Sequence, residues 1–88
     1  MSSILDLDIF VRTADAGSFT AAARALELTP AAASIAIKRL ETRLGVRLLV
    51  RTTRSLRLTE EGQRYLVSVR QALSALSEGE QALSAPGI

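Results

Sequence analysis

Three observations predict a mainly α fold for these 88 residues: three apolar stripes at helical spacing before residue 45, a short alternating and arginine-rich stretch after it, and one long stripe with heptad-like spacing at the end. The expected order is three helices, a short β-hairpin and a long C-terminal helix. The boundaries fall at 1–58 for a compact domain, 59–84 for the long helix, and 85–88 for a breaker-rich tail read as a hinge or the cut end of a fragment. A chain this short buries a modest share of its surface, so a few helices around one core are about its limit.

The first helix runs from about Ile4 to Ala16, with Leu7, Phe10, Val11 and Ala14 on one stripe. Asp6 and Asp8 sit near its N-terminus, where the helix dipole favours acids, and Gly17 ends it. Arg12 and Asp15 fall on its exposed side, and its expected task is to pack behind the next two helices. In the second helix Phe19, Ala22, Ala23 and Leu26 recur at i, i+3, i+4 and i+7, with Ser18 as N-cap. The third aligns Ala33, Ile37, Leu40 and Leu44. Thr29 is its N-cap, Pro30 takes the first helical position, where a missing N–H costs nothing, and Gly45 takes the left-handed position after its end. The joint Glu27-Leu28-Thr29 is too short for a comfortable antiparallel pair, and the alanines permit close approach, so these two helices form a helix-turn-helix.

Beyond Gly45, Val46 to Arg51 and Leu56 to Leu58 flank Thr52-Thr53-Arg54-Ser55 and read as a hairpin, the wing of a winged helix-turn-helix. Thr59 then caps the long helix, with Glu60 and Glu61 in its first turn. Leu66, Val69, Leu73, Leu76 and Leu83, spaced 3, 4, 3 and 7, form a seam interrupted by Glu80. A helix of about 25 residues outruns so small a body, so the expected partner is the same helix of a second copy. The alternative is that the seam packs only on the first helix of its own chain.

Composition narrows the function. Hydrophobic residues make up 48% of the chain and mean hydropathy is +0.23, high enough to suggest apolar surface that meets another chain. Without cysteine or histidine there are no disulfides, no thiol or imidazole nucleophiles and no usual zinc ligand set. The carboxylates are scattered, so neither an enzyme nor a cofactor is expected. No signal-peptide core and no membrane-crossing run is visible, and a soluble cytoplasmic protein is the expectation. Lys38 to Arg57 holds seven basic residues against Glu41 alone, while the remainder has four basic and eight acidic. Such segregation points to an anionic partner, with a merely solvated charged face as the alternative. Outside its core stripe the third helix presents Ala31, Ala32, Ser34, Ile35, Lys38, Arg39 and Thr42, small at first and basic further on, which suits a DNA major groove. Arg54 at the wing tip suits a narrow minor groove. The alternative for the wing is an edge hairpin guarded by arginine against aggregation.

In register along almost the whole chain, Gly17-Ser18-Phe19-Thr20-Ala21-Ala22-Ala23, Leu26, Thr29, Ser34, Ile37, Leu40-Glu41, Leu44-Gly45, Leu48, Arg51 and Leu58-Thr59 with Gly62 resemble the N-terminal DNA-binding domain of LysR-type transcriptional regulators. The resemblance implies a winged helix-turn-helix and a linker helix that pairs with its counterpart in a homodimer on double-stranded DNA. It also implies a two-lobed domain after it that takes a small-molecule effector, and tetramers in full-length members; the present chain therefore reads as a fragment, with a naturally truncated regulator as the alternative. Many members resemble T-Q-P-A-[VL]-S-R where this chain has Thr29-Pro30-Ala31-Ala32-Ala33-Ser34-Ile35, so the Gln and Arg side chains that hydrogen-bond bases are gone. Leu49 stands where a Phe is common.

The expected base readers are Pro30, Ala31, Ala32, Ser34, Ile35, Lys38 and Arg54, with Ile35 touching thymine methyls. Ser18, Thr20, Thr29, Arg39, Arg51 and Thr52 are the expected backbone contacts, several of them at helix N-termini, whose free N–H groups bind phosphate. Two rival readings stay open: a protein-interaction module, and a DNA binder indifferent to sequence.

Overall fold

The computed structural model describes residues 2–52 and 55–84. Its elements are α1 (Ile4–Ala16), α2 (Phe19–Ala25), α3 (Pro30–Leu44), β1 (Leu49–Arg51), β2 (Leu56–Leu58) and α4 (Glu60–Ser84). Local chemistry sets the helix ends. Ser3, Ser18 and Thr29 accept the N–H groups of Asp6, Ala21 and Ala32 at 3.1, 3.2 and 3.1 Å, each satisfying a donor that the first turn leaves without an intrahelical partner. Gly17 (φ 66°) and Gly45 (φ 74°) close α1 and α3 in the left-handed conformation, donating to Thr13 and Glu41 carbonyls at 2.9 and 2.8 Å. α2 ends in the same way but on a non-glycine: Glu27 has φ 58°, which lets Leu28 donate to the Ala23 carbonyl at 2.8 Å and Glu27 to that of Arg24 at 3.3 Å.

The core gathers Leu7, Ile9 and Phe10 of α1, Ala23 of α2, Ala33, Ala36, Ile37 and Leu40 of α3, Leu48 and Leu49 at the wing, and Val69 of α4. Small residues on both sides of the α2–α3 contact let the helices approach closely. Phe10 meets Tyr65 of α4 with ring centroids 5.9 Å apart. The stripe expected on α1 needs correction: Ile9 and Thr13 are buried, while Val11 and Ala14 are only half-buried. The reason is that α1 is covered by α2 and α3 on one side and by α4 on another, so its buried arc is wider than one stripe. Asp6 is also buried. It accepts Arg39 Nε and Nη2 of α3 at 3.0 and 2.8 Å, a bidentate pair across two helices rather than a simple dipole acid.

The wing is an antiparallel pair in the register Leu49↔Leu58, Val50↔Arg57 and Arg51↔Leu56. Its first strand begins at Leu49, not Val46, because the Leu48 N–H and the Arg47 carbonyl are bonded to side chains, those of Glu41 and Thr59, rather than to a partner strand. Glu41 of α3 accepts Leu48 and Leu49 N–H at 2.7 and 3.1 Å, and the Leu48 carbonyl accepts Thr59 N–H at 2.9 Å. Thr59 Oγ1 accepts Gly62 N–H at 2.9 Å and donates to the Arg47 carbonyl at 2.6 Å, so the cap of α4 is also its bond to the wing.

The expected dimer seam divides along α4. Val69 is 3% exposed and belongs to the chain's own core, with Leu66 and Leu73 half-buried against it. Val69 thus faces inward in this chain, unlike Leu76 and Leu83. Leu76 and Leu83 remain exposed, Leu83 at 88%. Every residue from 74 to 84 is exposed, a projection of roughly 16 Å at helical rise that gives the molecule extents of 53 × 25 × 19 Å. An ion pair between Asp15 and Arg70 ties α1 to the packed half of α4. Among the described residues, no helix is long and apolar enough to cross a membrane.

Candidate nucleic-acid interface

The same 3.6-residue period that buries Ala33, Ala36, Ile37 and Leu40 turns the opposite face of α3 outward. On that face Pro30, Ala31, Ile35, Lys38, Arg39, Thr42 and Arg43 are exposed, and Ala32 and Ser34 are half-buried. Ile35 is 61% exposed, a large apolar side chain between cationic neighbours. Ile35 shares a shallow hollow with Lys38, Arg39, Thr42 and Arg43.

A second groove runs between the start of α2, the start of α3 and the wing. It brings together Ser18, Thr20, Pro30, Ala31, Ser34, Arg51 and Thr52 of the expected contact residues, and none of its lining residues is acidic. Ser18 and Thr29 hold their places as caps. Thr52 Oγ1 accepts Ser55 N–H at 3.0 Å, and Thr52 N–H donates to the Ser55 carbonyl at 2.8 Å, which closes the wing turn. Arg54, the expected minor-groove reader, lies outside the described residues.

Two arginines of the expected set have intramolecular partners. Arg39 commits Nε and Nη2 to Asp6. The hydrogen bonds from Arg39 hold the Asp6 carboxyl below its ordinary range despite its burial, and the same pairing raises Arg39. Arg51 donates from Nη2 to Ser34 Oγ at 2.9 Å and lies over the Phe19 ring, 4.4 Å from guanidinium carbon to centroid. Lys38 projects from α3 without such a tether among the hydrogen bonds and ion pairs of the described residues.

Spacing puts Phe19 on the core stripe of α2, where it packs half-buried, and the fold also sets its ring under Arg51 at the candidate interface. Glu41 stands in the sequence as the lone acid of a basic window and as part of the family-matching Leu40-Glu41 pair, and neither shows that its carboxylate anchors the wing to α3. No rule of local spacing joins residue 19 to 51 or residue 41 to 48.

Residues 4–63 match the family model described as "Bacterial regulatory helix-turn-helix protein, lysR family". The chain is 44% identical over 75 residues to the HTH-type transcriptional regulator CrgA of Neisseria meningitidis serogroup C (strain 8013), which covers 85% of this chain and 25% of CrgA. Among solved structures, the CbnR_DBD–DNA complex superposes with a TM-score of 0.84 at 32% identity, covering 94% of this chain and 97% of that one. The BenM_DBD/benA site 1 DNA complex does so with a TM-score of 0.87 at 30% identity, covering 92% and 94%. The chain spans about a quarter of the length of the curated relatives it matches.

Proposed function

Because the chain belongs to the lysR family of bacterial regulatory helix-turn-helix proteins, as a DNA-binding domain of that type, we propose that it reads double-stranded DNA as a symmetric dimer on an interrupted palindrome. α3 enters the major groove and the wing lies at the minor groove. The observation that carries this reading is the outward face of α3. Its N-terminal end is small and uncharged at Pro30 and Ala31, which lets backbone approach base edges, and it continues into Ile35 and Lys38 with Arg51 on the flanking wing.

In this reading Ile35 packs on thymine methyls, since a side chain without donors cannot read a base by hydrogen bonding. Lys38 supplies polar readout. Ser18, Thr20, Thr29, Arg51 and Thr52 contact the sugar-phosphate backbone and set register. Arg39 contributes to phosphate only through the donors that Asp6 leaves over, Nη1 chief among them. The exposed Leu76 and Leu83 support a second copy of α4 as the dimer partner.

The test is selection from a random double-stranded DNA pool by the purified chain at two salt concentrations. The expected result is enrichment of half-sites about one helical turn apart, with the thymine preference at one position lost in Ile35→Ala. Uniform, salt-sensitive retention would instead describe a binder indifferent to sequence. Absence of retention at low salt would overturn the DNA reading and favour a protein-interaction module.

A further inference from the structure

Arg51 differs from the arginines that carboxylates hold; Arg47 is also tethered without one, donating from Nη2 to the Leu49 carbonyl at 3.2 Å. Arg12, Arg39 and Arg70 pair with Asp8, Asp6 and Asp15, but among the described residues no carboxylate pairs with Arg51. Its two contacts neutralise nothing. Phe19 lies against the guanidinium face and Ser34 Oγ accepts at one edge, at 4.4 and 2.9 Å. A ring below and an acceptor at the rim fix the plane of the group, and β pairing of Arg51 with Leu56 holds the backbone from which it springs. One of five guanidinium donors goes to Ser34, so four remain. On one side they meet a groove lined by Ser18, Thr20, Thr52 and Ser55 and by no acid; the hollow on the other side includes Glu41, whose Oε2 is taken by the Leu48 and Leu49 N–H groups. A charge held in place, paired with no carboxylate among the described residues and facing hydroxyls on its open side, suits an anion.

Resting on the DNA reading above, we propose that Ser34 and Phe19 are positioning residues that hold Arg51 as a preformed clamp for one backbone phosphate, so that Ser34 serves affinity rather than base readout. The physical gain is preorganisation. A free arginine loses rotamer freedom on docking to phosphate, whereas one already clamped between a ring and a hydroxyl has lost it on folding. This replaces the direct base contact expected of Ser34 with an indirect role through Arg51.

The experiment is a double-mutant cycle with Ser34→Ala and Arg51→Ala. Affinities are measured over a range of salt on the duplex that the wild-type chain enriches and on a scrambled duplex, with melting midpoints to show that each variant folds. Arg51→Ala is expected to weaken binding to both duplexes and to flatten the log–log salt slope by about 0.9, one phosphate contact. Ser34→Ala is expected to lose about threefold to tenfold on both, the worth of one hydrogen bond, while enriching the same sequence as wild type. The double variant should be no weaker than Arg51→Ala alone, Ser34→Thr should restore binding, and Phe19→Leu should reproduce the Ser34→Ala loss. An altered base preference in Ser34→Ala, additive losses in the cycle, or an unchanged salt slope in Arg51→Ala would each overturn the clamp while leaving DNA binding standing. Failure of the wild-type chain to retain any duplex at low salt would overturn both.

Discussion

Thr13 is fully buried on α1, and its Oγ1 has no hydrogen-bond partner among the described residues. An unsatisfied buried hydroxyl costs about 1–3 kcal/mol, and valine has nearly the same shape without it. Thr13→Val is therefore expected to raise stability by roughly 1 kcal/mol, seen as a higher urea midpoint at unchanged slope. A lower midpoint would mean that the hydroxyl is satisfied in solution. Glu27 carries a different local cost, since its left-handed backbone (φ 58°) strains any residue with a Cβ. Glu27→Gly removes that strain and adds chain entropy to the unfolded state. A net gain of about 0.5 kcal/mol is expected, and thermal unfolding of the variant checks it. The break between α2 and α3 was legible from composition and spacing. That a glutamate would take the left-handed position was not, because the residue type argues against it.

The join between wing and α4 is held by contact at van der Waals limits. A Cβ on Gly62 would stand 2.2 Å from the Leu48 carbonyl oxygen and 3.2 Å from Leu58 Cδ2. Backbone cannot swing aside as a side-chain end can. Gly62→Ala is thus expected to lower stability by about 2 kcal/mol, even though alanine favours an isolated helix; a stabilised variant would show that wing and α4 separate easily. The free half of α4 yields a separate expectation. Leu83→Glu should leave the melting midpoint of the dilute chain unchanged but reduce the proposed dimer to monomer in a sedimentation series over concentration. A dimer that survives both Leu83→Glu and Leu76→Glu would exclude this end of α4 as the interface. Leu73→Glu, in the middle of the expected seam, would disturb the chain's own core as well.

α1 is the tie-beam of the molecule, joined to α3 through Asp6–Arg39 and to α4 through Asp15–Arg70. Hydrogen bonds from the two arginines lower both carboxyls below 3.8, outweighing the opposing effect of burial. The unfolded chain therefore takes up these protons at higher pH than the folded one. Their stabilising contribution is whole above the unfolded value, declines as pH falls through it, and is gone below the folded values. Asp6 carries most of it, because its side chain is 6% exposed against 53% for Asp15, whose pair is screened by solvent. Asp6→Asn is expected to melt below wild type at pH 7, with the gap closing toward pH 2. A gap that persists at acid pH would mean that Asp6 acts by packing, not by charge.

Helix existence, the caps at Ser18, Thr29 and Thr59, the stops at Gly17 and Gly45, the hairpin and the outward face of α3 were all readable in the chain itself. The helices, caps and stops depend on residues within about four positions of one another, where periodicity and capping operate, and the hairpin on two segments within ten. The pairings of Asp6 with Arg39, Glu41 with the Leu48 and Leu49 amides, and Arg51 with Ser34 and Phe19 were not readable. They join residues distant in sequence, and a charged side chain carries no mark of which opposite group the packing will bring beside it. The same holds for the seam of α4: its spacing announces an apolar stripe, but the placement of α1 assigns Val69 to the core and leaves Leu83 in solvent.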